Sequence, residues 1–253
     1  MKNPKSILIT GASSGIGRAL ALEYADQDTT LFLSGRSEDR LNQVKTECRA
    51  LGATVYTQTI DCCDKDKMND WINECDTIHT LDLVIANAGV STSVAAKDDI
   101  SEHTRTVFET NVNGVFNTIH PAINVMKRRG RGQIAIMSSV AGFRGLPSSP
   151  AYSTSKLTVR AYGEALRGFY HEDGLEINII SPGFVKSGIT EQNKFKMPFL
   201  METNKATKII RHGLEKNKAS IMFPWQMRAF TFIARRIIPE FILERLLRRL
   251  PKK

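Results

Sequence analysis

Short apolar runs alternate along the chain with stretches of helical periodicity. Ile7-Leu8-Ile9 is the first run and leads into a glycine-rich segment, after which Ala19, Leu20 and Leu22 mark a helix. Leu31-Phe32-Leu33 is the second and ends at Ser34-Gly35-Arg36. Ser37 is placed to cap the helix that follows, with Glu38 and Asp39 in its first turn, where the helix dipole favours acids. Further strands are predicted at Val55–Ile60, Leu81–Ala86, Ile134–Met137, Glu176–Ile180 and Ala219–Phe223, with helical stretches between them. Several runs are continuously apolar, which suits strands covered on both faces. The alternation predicts an α/β fold, a doubly wound parallel seven-stranded sheet with helices on both faces. No repeat, low-complexity tract or linker interrupts it, so residues 1–253 are expected to form a single domain.

Composition adds constraints. The chain has 253 residues, enough to bury a core without metals or disulfides. Cys48, Cys62, Cys63 and Cys75 form no CxxC pair, and no histidine stands at a metal-ligand spacing from them; reduced thiols and a cytoplasmic location are expected. The apolar stretch at 7–9 is too short for a signal peptide, and no apolar run reaches membrane-spanning length. The net charge is +9, and it is concentrated. Eight basic residues between Trp225 and Lys253 face only Glu240 and Glu244, giving +6 there and +3 in all the rest. A local excess of this kind, without a base-reading motif, argues against a nucleic-acid partner.

Three motifs carry chemistry. Thr10-Gly11-Ala12-Ser13-Ser14-Gly15-Ile16-Gly17 joins the first strand to the first helix. Glycines there let backbone approach a pyrophosphate, and a helix N-terminus attracts its charge. Tyr152-Ser153-Thr154-Ser155-Lys156 sets a phenol and an ammonium one helical turn apart, with about 5–6 Å between their Cβ atoms. A neighbouring ammonium favours phenolate and is expected to lower the tyrosine pKa toward neutrality. Ser138-Ser139 ends the fifth strand, on the edge of a parallel sheet where ligands collect.

With these motifs in this order, the sequence from Lys5 to Phe184 resembles the short-chain dehydrogenase/reductase family, in particular its single-domain members. The resemblance implies a nicotinamide cofactor and catalytic roles for Asn111, Ser139, Tyr152 and Lys156. Tyr152 is the implied general acid for carbonyl reduction, or base for alcohol oxidation. Lys156 is implied to lower its pKa and hold the nicotinamide ribose, Ser139 to polarise the carbonyl, and Asn111 to support a proton-relaying water. Gly11, Ser13, Ser14, Gly15, Ile16 and Gly17 match the cofactor loop; Asp61 matches the acid that contacts adenine; Asn87-Ala88-Gly89 matches the turn after the fourth strand. Pro182-Gly183 matches the turn beside the nicotinamide, followed here by Phe184-Val185-Lys186 and then Ser187 where the family often has threonine; Ser187 is the expected substitute, with Thr190 second.

The residues after the second strand bear on the cofactor. An NAD enzyme usually presents an acid there; this chain has Arg36 and Ser37 instead, with Arg18 after the glycine loop, so NADP(H) is expected and reduction is the favoured direction. The segment after Gly183, to about residue 203, carries Phe184, Ile189, Phe195, Met197, Phe199, Leu200 and Met201, a lid suited to an apolar carbonyl such as a lipid, steroid-like or aromatic ketone. Packing of these side chains on the body is the competing reading. An acyl-thioester ketoreductase of fatty-acid metabolism is the alternative substrate reading, with Lys186 and Lys194 toward an acidic carrier; a cofactor-binding sensor and a membrane-recruited interaction protein using the tail are the non-enzymatic ones. The tail from residue 225 sets Phe230, Ile233, Ile237, Phe241, Leu246, Leu247 and Leu250 among arginines, with Pro239 expected to split it into two helices. Such a tail either lies on an anionic membrane surface or packs on a partner subunit, the family being commonly homo-oligomeric.

Overall fold

The computed structural model describes residues 1–91, 100–191, 195–236 and 239–247. Seven parallel strands form one sheet: β1 (Ser6–Thr10), β2 (Thr30–Gly35), β3 (Thr54–Thr59), β4 (Leu83–Ala86), β5 (Gly132–Met137), β6 (Leu175–Pro182) and β7 (Ser220–Phe223). Their order is β3-β2-β1-β4-β5-β6-β7, so the chain reverses its direction of travel across the sheet between β1 and β4. All seven expected strands are present. β4 begins two residues later than expected; the Asp82 side chain just before it accepts from the Lys5 amide at 2.8 Å and from Arg131 at 2.9 Å.

The helices are α1 (Gly15–Tyr24), α2 (Glu38–Ala50), α3 (Lys65–Ile78), α4 (Ile100–Phe108), α5 (Gly114–Arg128), α6 (Pro150–Phe169), α7 (Gly188–Glu191), α8 (Thr203–Glu215), α9 (Trp225–Arg236) and α10 (Glu240–Leu247). A π-helical turn at Glu109–Asn113 joins α4 to α5. Two buried clusters cover the two faces of the sheet. Ile7, Ile9, Leu31 and Leu33 pack with Leu20, Leu41 and Ile210 on one face; Leu8, Phe32 and Val84 pack with Met68, Ile119 and Val159 on the other. This alternation of neighbours to opposite sides is why the central strands read as unbroken apolar runs. The edge strands differ: β3 buries Val55 between exposed Thr54 and Tyr56, and β7 alternates in the same way.

Local signals hold with one exception. Glu38 and Asp39 occupy the first turn of α2, and Ser37 stands at its N-cap, but the Ser37 side chain makes no capping bond. Asp64 caps α3, accepting from the Lys67 amide at 3.1 Å. Pro239 separates α9 from α10, as expected. No helix among the described residues is long and apolar enough to cross a membrane.

Candidate active site

The carboxyl ends of the strands open into a cleft of about 830 Å³, beyond the switch between β1 and β4, where a doubly wound sheet gathers ligands. Its walls come from the segments after six strands: Thr10–Ile16, Ser34–Arg36, Ile60–Cys62, Asn87–Ser91, Met137–Ala141 and Pro182–Val185 contribute lining residues.

Sterics require the glycine turn. Gly11 and Gly15 have φ of 66° and 55°, a region that glycine enters without strain. A Cβ on Gly11 would stand 2.8 Å from Ala88 Cα. Thr10 Oγ1 accepts from the amides of Asn87 and Ala88 at 3.1 and 3.2 Å, and Asn87 Nδ2 donates to the Thr10 and Gly11 carbonyls at 3.0 and 3.3 Å. The turn is thereby fastened to the end of β4. Gly17 lies behind the cleft wall: a Cβ there would meet the Gly11 carbonyl oxygen at 2.3 Å. Gly17→Ala is therefore expected to cost about 1–3 kcal/mol through forced backbone displacement, read as a Tm lowered by about 3–10 °C in thermal unfolding; an unchanged Tm would show that the loop has slack.

The turn runs into α1. Its N-cap Ser14 makes no side-chain capping bond, and its first turn carries no acid, so the positive end of the helix dipole faces the cleft uncompensated. Backbone held open by glycines before such a helix end fits a pyrophosphate. At one end of the cleft Arg36 and Arg40 line the wall, Arg36 lying 4.0 Å from Asp61. Two residues expected at this end stand apart from the cleft wall. Ser37 is not part of the cleft wall; it sits at the start of α2, and the next turn of that helix brings in Arg40. Arg18 turns away, its guanidinium donating to both carboxylate oxygens of Glu47 at 2.9 and 2.7 Å.

At the other end are the serine, tyrosine and lysine. Ser139 caps the short 3-10 turn Val140–Phe143, its Oγ accepting from the Ala141 amide at 3.1 Å. The same side chain hydrogen-bonds Tyr152. Tyr152 and Lys156 share a face of α6, with the Lys156 ammonium 6.0 Å from the tyrosine ring centroid. Lys156 is buried and donates from Nζ to the Met137 carbonyl at 3.0 Å. Burial depresses its pKa to about 8. For Tyr152, burial is the larger influence and raises the pKa, while the Ser139 bond pulls it down. The direction is opposite to the expected lowering: desolvation of the phenolate outweighs the Ser139 bond.

Asn111 sits in the π-helical turn, a kind of distortion common at functional sites. It is fully buried, outside the cleft wall. Its Oδ1 accepts from the Val90 amide at 2.8 Å; its Nδ2 donates to the Val90 carbonyl at 2.9 Å and to Ser155 Oγ at 3.1 Å. This ties the segment after β4 to α6. A Cβ on Gly89 would stand 3.1 Å from both Asn111 Oδ1 and Lys156 Nζ, so these groups converge around a bare backbone.

Pro182, Gly183, Val185, Ser187 and Thr190 line the cleft. Thr190 Oγ1 donates to the Val185 carbonyl at 2.8 Å, and Ser187 Oγ donates to it more loosely at 3.3 Å. Of the expected apolar lid, Phe184 and Phe195 reach the cleft and pack edge to face. Met201 instead bridges to Val185, and Phe199 and Leu200 are exposed. Lys194 lies outside the described residues, as does the side chain of Ile189. Other apolar walls went unforeseen: Phe143 and Leu146 from the segment after β5, Met227 and Phe230 from α9, and Leu247 from α10. Asp61, Cys62 and Cys63 bring three potential ligand atoms together, but burial pushes the Cys62 thiol up to about 12 and that of Cys63 upward too, so both stay protonated near neutrality.

A family model described as short chain dehydrogenase matches residues 5–197. The chain is 38% identical to an uncharacterized oxidoreductase of Myxococcus xanthus over 247 residues, covering 97% of each. It is 28% identical to 17-beta-hydroxysteroid dehydrogenase 13 of Rattus norvegicus, covering 95% of this chain and 81% of the relative. A short-chain type dehydrogenase/reductase from Mycobacterium marinum superposes with a TM-score of 0.78 at 24% identity, covering 87% of this chain and 93% of that one. That likeness concerns the fold alone.

Proposed function

The chain belongs to the short-chain dehydrogenase family, and we propose that it reduces an apolar ketone or aldehyde at the expense of NADPH. The observation that carries this reading is one cleft holding, at opposite ends, a glycine turn flanked by Arg36 and Arg40 and a Ser139–Tyr152–Lys156 cluster.

Gly11 to Ile16 and the start of α1 would hold the pyrophosphate of the cofactor, Arg36 and Arg40 its 2′-phosphate, Asp61 the adenine, and Asn87 to Gly89, Lys156, Pro182, Gly183, Val185 and Ser187 the nicotinamide half. When bound, the cofactor supplies the hydride. The protein's part is a proton and a position. Ser139 and Tyr152 donate hydrogen bonds to the substrate oxygen, which holds the carbonyl in one orientation. Tyr152, kept protonated by burial, gives its proton to that oxygen as negative charge develops. Lys156, whose pKa of about 8 leaves it able to lose a proton near neutrality, replaces it. Asn111 acts as a positioning residue, fixing α6 against the segment that carries Gly89. Phe143, Phe184, Phe195 and Phe230 exclude water and favour an apolar substrate. The hydroxysteroid dehydrogenase among the relatives supports that class.

NADPH consumption across ketones and aldehydes of graded size and polarity tests the reading. Rates that rise with apolarity are expected; activity confined to small polar carbonyls would overturn the substrate class. The cofactor choice has its own test. Arg36→Glu is expected to weaken NADPH about 30- to 100-fold, through loss of charge-assisted bonds to the phosphate, and to leave NADH unchanged or tighter. Fluorescence titration with both cofactors measures this, and an unaltered NADPH to NADH ratio would remove Arg36 from the phosphate site.

A further inference from the structure

A second depression of about 370 Å³ lies between α8, β7 and α9. Lys205, Lys208 and His212 of α8, Lys218 just before β7, and Arg228 of α9 line it, and among the described residues no carboxylate does. The nearby acids are engaged elsewhere: Glu202 by Lys186, and Glu23 and Glu215 by Arg211. None of the five basic residues takes part in an ion pair found among the described residues. The depression is thus a pocket of uncompensated positive charge.

Beside it α9 and α10 leave large apolar side chains exposed to solvent. Trp225 (73% exposed), Phe232 (63%) and Ile233 fall seven and eight positions apart on α9, hence on one face. Phe241 (73%) and Ile242 are likewise exposed on α10. Arg228 stands on the α9 flank that meets the charged depression, and Phe230 on the flank that meets the large cleft.

We propose that this face docks on an anionic phospholipid surface. Exposed aromatics beside clustered bases match an interface where rings enter the acyl boundary and cations meet phosphate headgroups. The depression takes a lipid phosphate between Lys208, Lys218 and Arg228, and Trp225, Phe232 and Phe241 enter beside it. A second copy of this chain is a poorer occupant, because it would bring the same excess of +6 from residues 225–253 against the face. Phe230, shared with the large cleft, sets the mouth of that cleft at the lipid surface; delivery of an apolar substrate by this route rests on the function proposed above, whereas the docking does not. Ile237, Arg248, Arg249, Leu250, Lys252 and Lys253 lie outside the described residues, as do the side chains of Arg235, Arg236 and Leu246.

Vesicle partition tests the proposal. The full chain is sedimented with vesicles of phosphatidylglycerol and phosphatidylcholine, and with phosphatidylcholine alone. It is expected to partition onto the anionic vesicles at least about tenfold more strongly, less so as salt rises. Lys208→Glu with Lys218→Glu is expected to remove about tenfold or more of that binding, and Phe232→Ser to weaken it. Trp71, the one other tryptophan, is buried, its ring nitrogen without a partner among the described residues. In a Trp71→Phe background, Trp225 emission should therefore shift to the blue on anionic vesicles. Absence of vesicle binding, equal binding to both compositions, or indifference to the charge reversals would overturn the proposal. So would a Phe232→Ser protein that still binds vesicles but falls from dimer to monomer on a sizing column, since a second copy would then cover the face. Turnover of a water-soluble ketone, assayed in parallel, is expected to be unchanged in each variant. Its absence throughout, with vesicle binding intact, would count against the catalytic reading alone.

Discussion

Replacing Tyr152 with phenylalanine is expected to lower kcat about a thousandfold while leaving NADPH affinity within about twofold. The substitution removes one oxygen and keeps the ring that packs in the cleft wall. What is lost is the hydroxyl that Ser139 bonds, the one acidic proton placed beside a buried lysine at the end of the cleft. General acid catalysis contributes about 10²- to 10⁴-fold in enzymes generally, and among the described residues no second phenol lines the cleft to take over. The raised pKa of Tyr152 fits this role in the reductive direction, because a donor must still hold its proton when the substrate arrives. Single-turnover and steady-state rates with the best ketone, beside a fluorescence titration of NADPH, separate chemistry from binding. A kcat within tenfold of the parent would mean that the proton comes from elsewhere.

Much of this arrangement was legible before any coordinates. The strands showed because parallel strands covered on both faces must be apolar at consecutive positions, and Ile7–Ile9 and Leu31–Leu33 are. The glycine turn showed because close approach to Ala88 and to the Gly11 carbonyl excludes a Cβ, a demand that leaves its mark as glycine. Other features depend on how elements face each other, which spacing does not encode. Arg40 enters the cleft because α2 leaves Ser37 with one face toward the sheet ends; its spacing of four from Arg36 was the only hint. Met227 and Phe230 became cleft walls because α9 folds back onto Gly183, where a Cβ would stand 2.5 Å from Met227 Sδ. Arg18 has the right charge and a nearby position in sequence, yet Glu47 of α2 holds it. The Tyr152 pKa departs from the expected direction for a similar reason. Proximity to Lys156 follows from helical spacing, but the degree of burial follows from everything packed around α6.

Lys156→Met is expected to abolish turnover, by a hundredfold or more, and at neutral pH to make the fold more stable. The native chain buries an ammonium whose pKa has fallen from 10.5 to about 8. Below pH 8 both the folded and the unfolded chain carry this proton, and the full cost of burying it, about 3 kcal/mol, weighs on the fold. Between pH 8 and 10.5 the unfolded chain holds the proton while the folded chain has released it, so native stability rises with pH across that window. Above 10.5 the cost is gone. Methionine removes the charge but leaves the Met137 carbonyl without its 3.0 Å donor, a loss of about 1–3 kcal/mol. The balance is a variant about 0–2 kcal/mol more stable near pH 7, with Tm higher by up to about 5 °C, an advantage that shrinks and reverses toward pH 10. Thermal unfolding of both proteins at the two pH values decides it, and an advantage that grew with pH would contradict the buried ammonium. The fold would hold better at neutral pH without this charge. A lysine kept there against that cost fits the proton resupply proposed for the inner end of the cleft.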